Sequence, residues 1–179
     1  MPAFVAHPQE GAIIGSLVVG YGELEILLAL LVRWIIDDQD FAFRTLYGQR
    51  GESARITTAK TITFISLRHH QKRQEFEDMI DALRHCLKIR NQYAHGNWLQ
   101  TPHAISFANV ENICQQQDKA DLGKLTVQDV TLKKLRQQER YFVYVMQLIE
   151  YLIFSFQRER GAQSTFAPQA PPKVARPNL

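Results

Sequence analysis

QKRQEFEDMIDALRHCLKIRNQYAHG, residues 71–96, decides the fold. Phe76, Met79, Ile80, Leu83, Leu87 and Ala94 fall on one side of a helical wheel, the pattern of a helix that buries one face. Gly96 follows where helices usually stop, at a position that tolerates a left-handed backbone. The spacing predicts a helix over about 71–95.

The segments on either side read the same way. Upstream, AIIGSLVVGYGELEILLALLVRWII (12–36) repeats apolar residues at Ile13, Leu17, Leu24, Leu27, Leu28, Leu31 and Ile35. This predicts a helix from Pro8 or Glu10 to Ile36, apolar on every side between Ile26 and Val32 and therefore buried. The segment is long enough to span a bilayer. Glu23 and Glu25 at its centre and Arg33 near its end make that costly, so it is read as a core helix, with no membrane partner. Gly11, Gly15, Gly20 and Gly22 weaken the helix but let another backbone come close. The Gly20–Gly22 pair is no phosphate loop, because no strand precedes it. Asp37, Asp38 and Asp40 end the helix, and a short helix follows over 41–47. Residues 54–67 are rich in β-branched side chains, but Ile56, Ala59, Lys60, Thr63 and Leu67 share a helical face.

Downstream, HAISFANV and GKLTVQ alternate, which predicts a hairpin around Ile105, Phe107, Leu125 and Val127, with QQQDKAD as its loop. Asp129 or Thr131 then caps a last helix that reaches about Arg160, with Leu135, Phe142, Val145, Ile149, Leu152 and Phe156 in register. The expected fold class is all-α in the main: a helical bundle over 1–162 with a small β-hairpin inserted at about 99–130. A disordered tail rich in proline and alanine is expected over 163–179.

The chain has 179 residues, 45% hydrophobic and 22% charged, with a net charge of +3, which suits one soluble domain. That charge permits a nucleic-acid partner without demanding one. The densest basic run is RHHQKR, where Arg68, Lys72 and Arg73 are candidate RNA contacts or simply a solvated helix entry. His69, His70, His85 and His103 read as surface histidines. Cys86 and Cys114 stand apart, and MPAFVAHPQEG lacks a basic leader, so a reducing cytoplasm with free thiols is expected. Two lone cysteines among scattered histidines make no metal site, and no cofactor is expected.

Chemistry concentrates at the end of the 71–95 helix. At about 100° per residue, Arg90 falls on the line of Leu83, inside the apolar stripe. A guanidinium there must face a carboxylate, a cleft or a second subunit. His95 lies near the stripe's edge, on the side of Asn91. An arginine can hold a phosphate by two hydrogen bonds, and a histidine can move protons near neutral pH. Together they suit attack by an RNA 2′-hydroxyl on its neighbouring phosphate. Arginine and histidine also favour helix ends on electrostatic grounds alone.

R-N-x-x-A-H-G-x-W, from Arg90 to Trp98, ends an amphipathic helix set between two others, and this resembles the HEPN superfamily, the higher eukaryotes and prokaryotes nucleotide-binding domains. The resemblance covers the layout of residues 10–160 and a few residues of motif. It implies a helical bundle that forms a homodimer, with the motifs of two subunits meeting in a metal-independent endoribonuclease site for single-stranded RNA. His95 would be the general acid and base, Arg90 the phosphate anchor and Asn91 a supporting residue. Glu23 would be the acidic residue contributed by the first helix, or else a buried partner for Arg90 or Arg33. Toxin and phage-defence roles, with an antitoxin or other regulatory protein as partner, belong to the same resemblance. A non-catalytic dimeric interaction or nucleotide-binding module is the alternative. Many toxins of this kind carry a tyrosine two positions after the histidine; Asn97 stands there instead, so control by modification of that tyrosine is not expected. Trp98 would stack on an RNA base or cover the core.

Overall fold

The computed structural model describes residues 2–101, 104–109, 126–162 and 169–179. They are mainly helical, with a small antiparallel sheet before the last helix. The order is α1 (Pro2–Ala6), α2 (Pro8–Ile36), α3 (Gln39–Tyr47), α4 (Glu52–Leu67), α5 (Arg73–Ala94), β1 (Asn97–Gln100), β2 (Ile105–Ala108), β3 (Val127–Val130) and α6 (Leu132–Glu159). The chain divides into two compact units. Unit 1 comprises Met1–Val19, Lys88–Arg140 and Pro177–Leu179, and unit 2 comprises Gly20–Leu87 and Tyr141–Arg176.

Unit 2 is helical. Its core comes from the faces read in the sequence: Leu24, Leu28, Leu31 and Ile35 of α2, and Ile56, Ala59, Thr63 and Leu67 of α4. Phe76, Met79, Ile80 and Leu83 of α5 join them, as do Val145, Ile149, Leu152 and Phe156 of α6. The β-branched run of α4 stays helical because Thr57, Thr61 and Thr63 each donate a hydroxyl to the carbonyl one turn back, at 2.8–3.0 Å. Those bonds satisfy the hydroxyl without leaving the helix. α2 is long and apolar enough to cross a membrane by length and composition. Its Glu25 is engaged in an ion pair with Arg55 of α4, at 2.8 Å.

The end of α2 is closed twice. Asp37 adopts a left-handed φ of 61°, a conformation that short polar residues tolerate better than most. Arg160 then donates from Nε to Trp34 O at 2.7 Å and from Nη2 to Ile35 O at 3.0 Å, and it pairs with Asp37 at 2.7 Å. The last carbonyls of a helix lack partners within it, and a guanidinium supplies them. Asp38 begins the next helix by accepting from Phe41 N at 2.9 Å. α6 ends on Gly161, whose φ of 78° lets Gly161 N reach Arg158 O and Ala162 N reach Gln157 O.

Unit 1 contains the sheet, a three-stranded meander in the order β1-β2-β3, where a two-stranded hairpin was expected. β2 and β3 are the strands foreseen, pairing Ile105 with Val130 and Phe107 with Gln128. The added strand is β1, which places Trp98 opposite Phe107. It follows α5 after only His95 and Gly96. Leu125 and the QQQDKAD segment lie outside the described residues, as do His103 and Cys114. Thr131 takes the cap of α6, accepting from Lys134 N at 3.2 Å, while Asp129 instead accepts from Ser106 across the sheet at 2.6 Å.

Three further expectations change. Gly96 is not left-handed; a Cβ there would meet Gln92 O at 3.0 Å and Phe107 Cδ2 at 3.2 Å, so close packing requires the glycine. Gly15, Gly20 and Gly22 face open space, and only Gly11 is approached, by Phe4. Ala94 is exposed, and the buried line of α5 continues through Cys86, Ile89 and Tyr93.

Candidate active site at the end of helix α5

The last turn of α5 and the residues just after it belong to unit 1. Ile89 and Tyr93 are buried and fix the rotation of the helix. Between them Arg90 is half-buried, beside the buried line of the helix and not on it. It donates from Nη1 to Asn91 Oδ1 at 2.9 Å, so an amide oxygen holds the guanidinium. Asn91 in turn accepts from His95 N through its main-chain oxygen at 3.1 Å. Asn91 and His95 are four positions apart and share a face of the turn. The arginine does not share that face, but its bond to Asn91 draws its charged end toward it. His95 is exposed.

A rigid floor lies under this turn. Tyr93 is 2% exposed and donates to Gln138 Oε1 at 2.6 Å. Burial pushes the Tyr93 hydroxyl up to about 12, against a smaller opposing effect of the Gln138 hydrogen bond. Gln138 is itself fully buried and donates from Nε2 to Asn178 O at 3.0 Å. Trp98 packs into an aromatic group with Phe4, Tyr93 and Phe107, at ring separations of 5.2, 5.7 and 5.5 Å. Its surroundings are those of a half-buried core residue.

The other candidates, Glu23, Arg68, Lys72 and Arg73, belong to unit 2. Glu23 is exposed and belongs to unit 2; the acidic residue of α2 with a partner is Glu25, whose carboxylate holds Arg55 and pushes its pKa up. Arg33 lies over the ring of Trp34 at 4.5 Å. In the turn before α5, Lys72 bonds Glu75 and the Tyr151 hydroxyl and lies over the Tyr151 ring. Arg73 pairs with Glu77 at 3.0 Å and donates to Arg68 O, while the Arg68 side chain is exposed. His70 is not a plain surface histidine: it meets Glu159 at 3.0 Å and packs against Phe156. His85 is buried, edge-on to Tyr141 at 5.5 Å.

The residue the sequence reading missed is Gln138. It lies three positions after Leu135 and four before Phe142, on the apolar face of α6, and a buried amide there needs partners for the same reason Arg90 does. No family model, no curated protein and no solved structure matches the chain.

Proposed function

We propose that the chain is a metal-independent endoribonuclease of HEPN type that acts as a dimer. The observation that carries this reading is the linkage of Arg90 to Asn91 and of Asn91 to His95 on one turn, with the imidazole at the surface. Arg90 would hold the non-bridging oxygens of a phosphate in single-stranded RNA. Asn91 would aim the guanidinium. An unprotonated His95 would take the proton from the 2′-hydroxyl as its oxygen attacks phosphorus. A protonated His95 of the second copy would give a proton to the departing 5′-oxygen. The P–O5′ bond breaks, leaving a 2′,3′-cyclic phosphate and a 5′-hydroxyl.

The packing of Trp98 against Phe4 and Phe107 favours an architectural role for it over base stacking. Two of the three cations at the start of α5, Lys72 and Arg73, are engaged with carboxylates, so the turn at 68–73 is a secondary RNA contact at most. A toxin or defence setting and a regulatory protein rest on the resemblance alone, and a cytoplasmic site of action on the two separate cysteines and the N-terminal sequence.

The test is cleavage of end-labelled single-stranded RNA in excess EDTA, by wild type and by a folded His95→Ala variant. Cleavage by wild type alone, with cyclic phosphate ends, supports the reading. Equal cleavage by both would sink it. No cleavage by either on a panel of RNAs would favour the alternative, a non-catalytic dimeric module in which Arg90 and His95 lock the dimer interface.

A further inference from the structure

Within unit 2 a cavity of about 600 Å³ lies between the chain's own end and the bundle. One wall is α6, which contributes Tyr141, Tyr144 and Tyr151. The rim on α5 is acidic, with Glu75, Asp78 and Asp81. The outer wall is the segment QAPPKVA, ending at Arg176. That segment has no helix or strand, yet it is fixed: Arg176 donates to the Tyr141 hydroxyl. In unit 1 the following residues are fixed too, with Lys134 Nζ donating to Leu179 O at 2.7 Å. Residues 169–179 have no helix or strand, and Pro171, Val174 and Pro177 among them are half-buried.

The burial of this segment has a period. Pro171, Val174 and Pro177 are half-buried, and the residues between them are exposed. A three-residue repeat is that of the polyproline II helix, which has no internal hydrogen bonds and three residues per turn. Pro171 and Pro172 restrict the chain to that conformation in advance. Grooves lined by aromatic rings bind such segments because little entropy is lost when a pre-extended chain docks. Charge agrees in sign: the segment brings Lys173 and Arg176 to a rim of three carboxylates, of which Glu75 also meets Lys72, Asp78 meets Gln74 and Asp81 meets Arg84.

We propose that the tyrosine groove between α5 and α6 is a recognition site for proline-containing, basic, extended segments of a partner protein, and that the chain's own residues 169–176 occupy it as a built-in competitor. The site uses neither Arg90 nor His95, so it stands whether or not the chain cleaves RNA. The vacant volume beside the segment shows that the resident sequence does not fill the groove, which leaves room for a partner segment with bulkier apolar residues. A resident segment on the same chain competes at an effective concentration set by its tether, so it needs only modest intrinsic affinity to mask the site.

The test is fluorescence anisotropy with a labelled peptide of residues 169–179, titrated with the full-length chain. In wild type the resident segment competes, and binding should be weak. In full-length Lys173→Glu/Arg176→Glu the resident segment is weakened, and the wild-type peptide should bind about tenfold or more tighter. Adding Asp78→Lys and Asp81→Lys should remove that gain. A peptide with Pro171 and Pro172 replaced by alanine keeps every charge and should bind about tenfold less well. Thermal melts of each protein check that it remains folded. Equal binding by wild type and the double variant overturns the proposal, as does absence of binding by both. Undiminished binding of the alanine peptide reduces the contact to charge alone. Wild-type dimers that dissociate on Lys173→Glu/Arg176→Glu would make the groove an exchange site between copies, and would overturn the partner assignment.

Discussion

Helix α5 carries basic residues and histidine at both of its ends, and the protein treats the two ends differently. At the start, Lys72 and Arg73 are each paired with a glutamate one turn on, and His70 meets Glu159. At the finish, Arg90 donates to a neutral amide and His95 stands exposed just beyond the last turn. Charge number is similar; the contacts that steady the side chains differ. A cation held by a carboxylate must give up that partner before it can hold a phosphate. A guanidinium steadied by an amide can be aimed without being neutralised by that contact. The two ends therefore make different predictions under the proposed function, and those predictions separate them.

The comparison breaks most sharply at His95. His95→Ala should lower RNA cleavage by about 10²–10⁴-fold, the usual worth of a general acid or base. The thermal midpoint should barely move, because the side chain is exposed. A variant that keeps its rate would make the two ends of α5 equivalent after all. Arg90→Lys preserves charge but loses the planar fork, and about a hundredfold loss of cleavage is expected. A smaller loss than that of Lys72→Ala would reverse the ranking of the two ends.

The helices of unit 2 were legible because each buries one face at helical spacing, so Leu24, Ile56, Leu83 and Ile149 all announced their side. Arg90 drew notice for the opposite reason, as a charge on the line of Leu83; the buried line in fact passes beside it, through Ile89 and Tyr93. Strand β1 was not legible: Asn97–Gln100 is too short to alternate, and its strand character comes from pairing with Ile105–Ala108. Gly96 was noticed but misread, since Phe107, the residue that crowds it, is eleven positions away in sequence. The ion pairs of the first turn of α5 had an i, i+3 and i, i+4 signal, at 72–75 and 73–77, but only a structure shows that Tyr151 joins Lys72 and that Glu159 meets His70.

The floor of the proposed site offers the next test. Tyr93→Phe removes the donor to Gln138 Oε1 and leaves a buried acceptor unsatisfied, which should cost about 1–3 kcal/mol in chemical denaturation. The pH dependence has a definite sign. The folded hydroxyl is held up to about 12, above the value of about 10 usual for an unfolded tyrosine. Between those values the unfolded chain loses its proton while the folded chain keeps it. Tyr93 therefore contributes full stability below about pH 10, and that contribution falls by about 1.4 kcal/mol per pH unit until about pH 12. Tyr93→Phe should flatten that part of the alkaline stability curve. A slope unchanged by the substitution would mean that the hydroxyl is not shielded as the packing around it implies.

The smallest effect belongs to the first turn. Arg73 and Glu77 are both part-exposed, and such pairs contribute under about 1 kcal/mol, so Arg73→Ala should hardly change stability. Its more telling readout is salt. Each cation that meets a phosphate of single-stranded RNA steepens the fall of log affinity with log salt by about 0.7. Arg90→Ala, assayed for binding in the uncleavable His95→Ala background, should flatten that slope by about this amount. Arg73→Ala in the same background should leave it unchanged, because Glu77 already holds the guanidinium. If Arg73→Ala flattens the slope and Arg90→Ala does not, the RNA lies along the first turn of α5, and the motif at its other end is architectural.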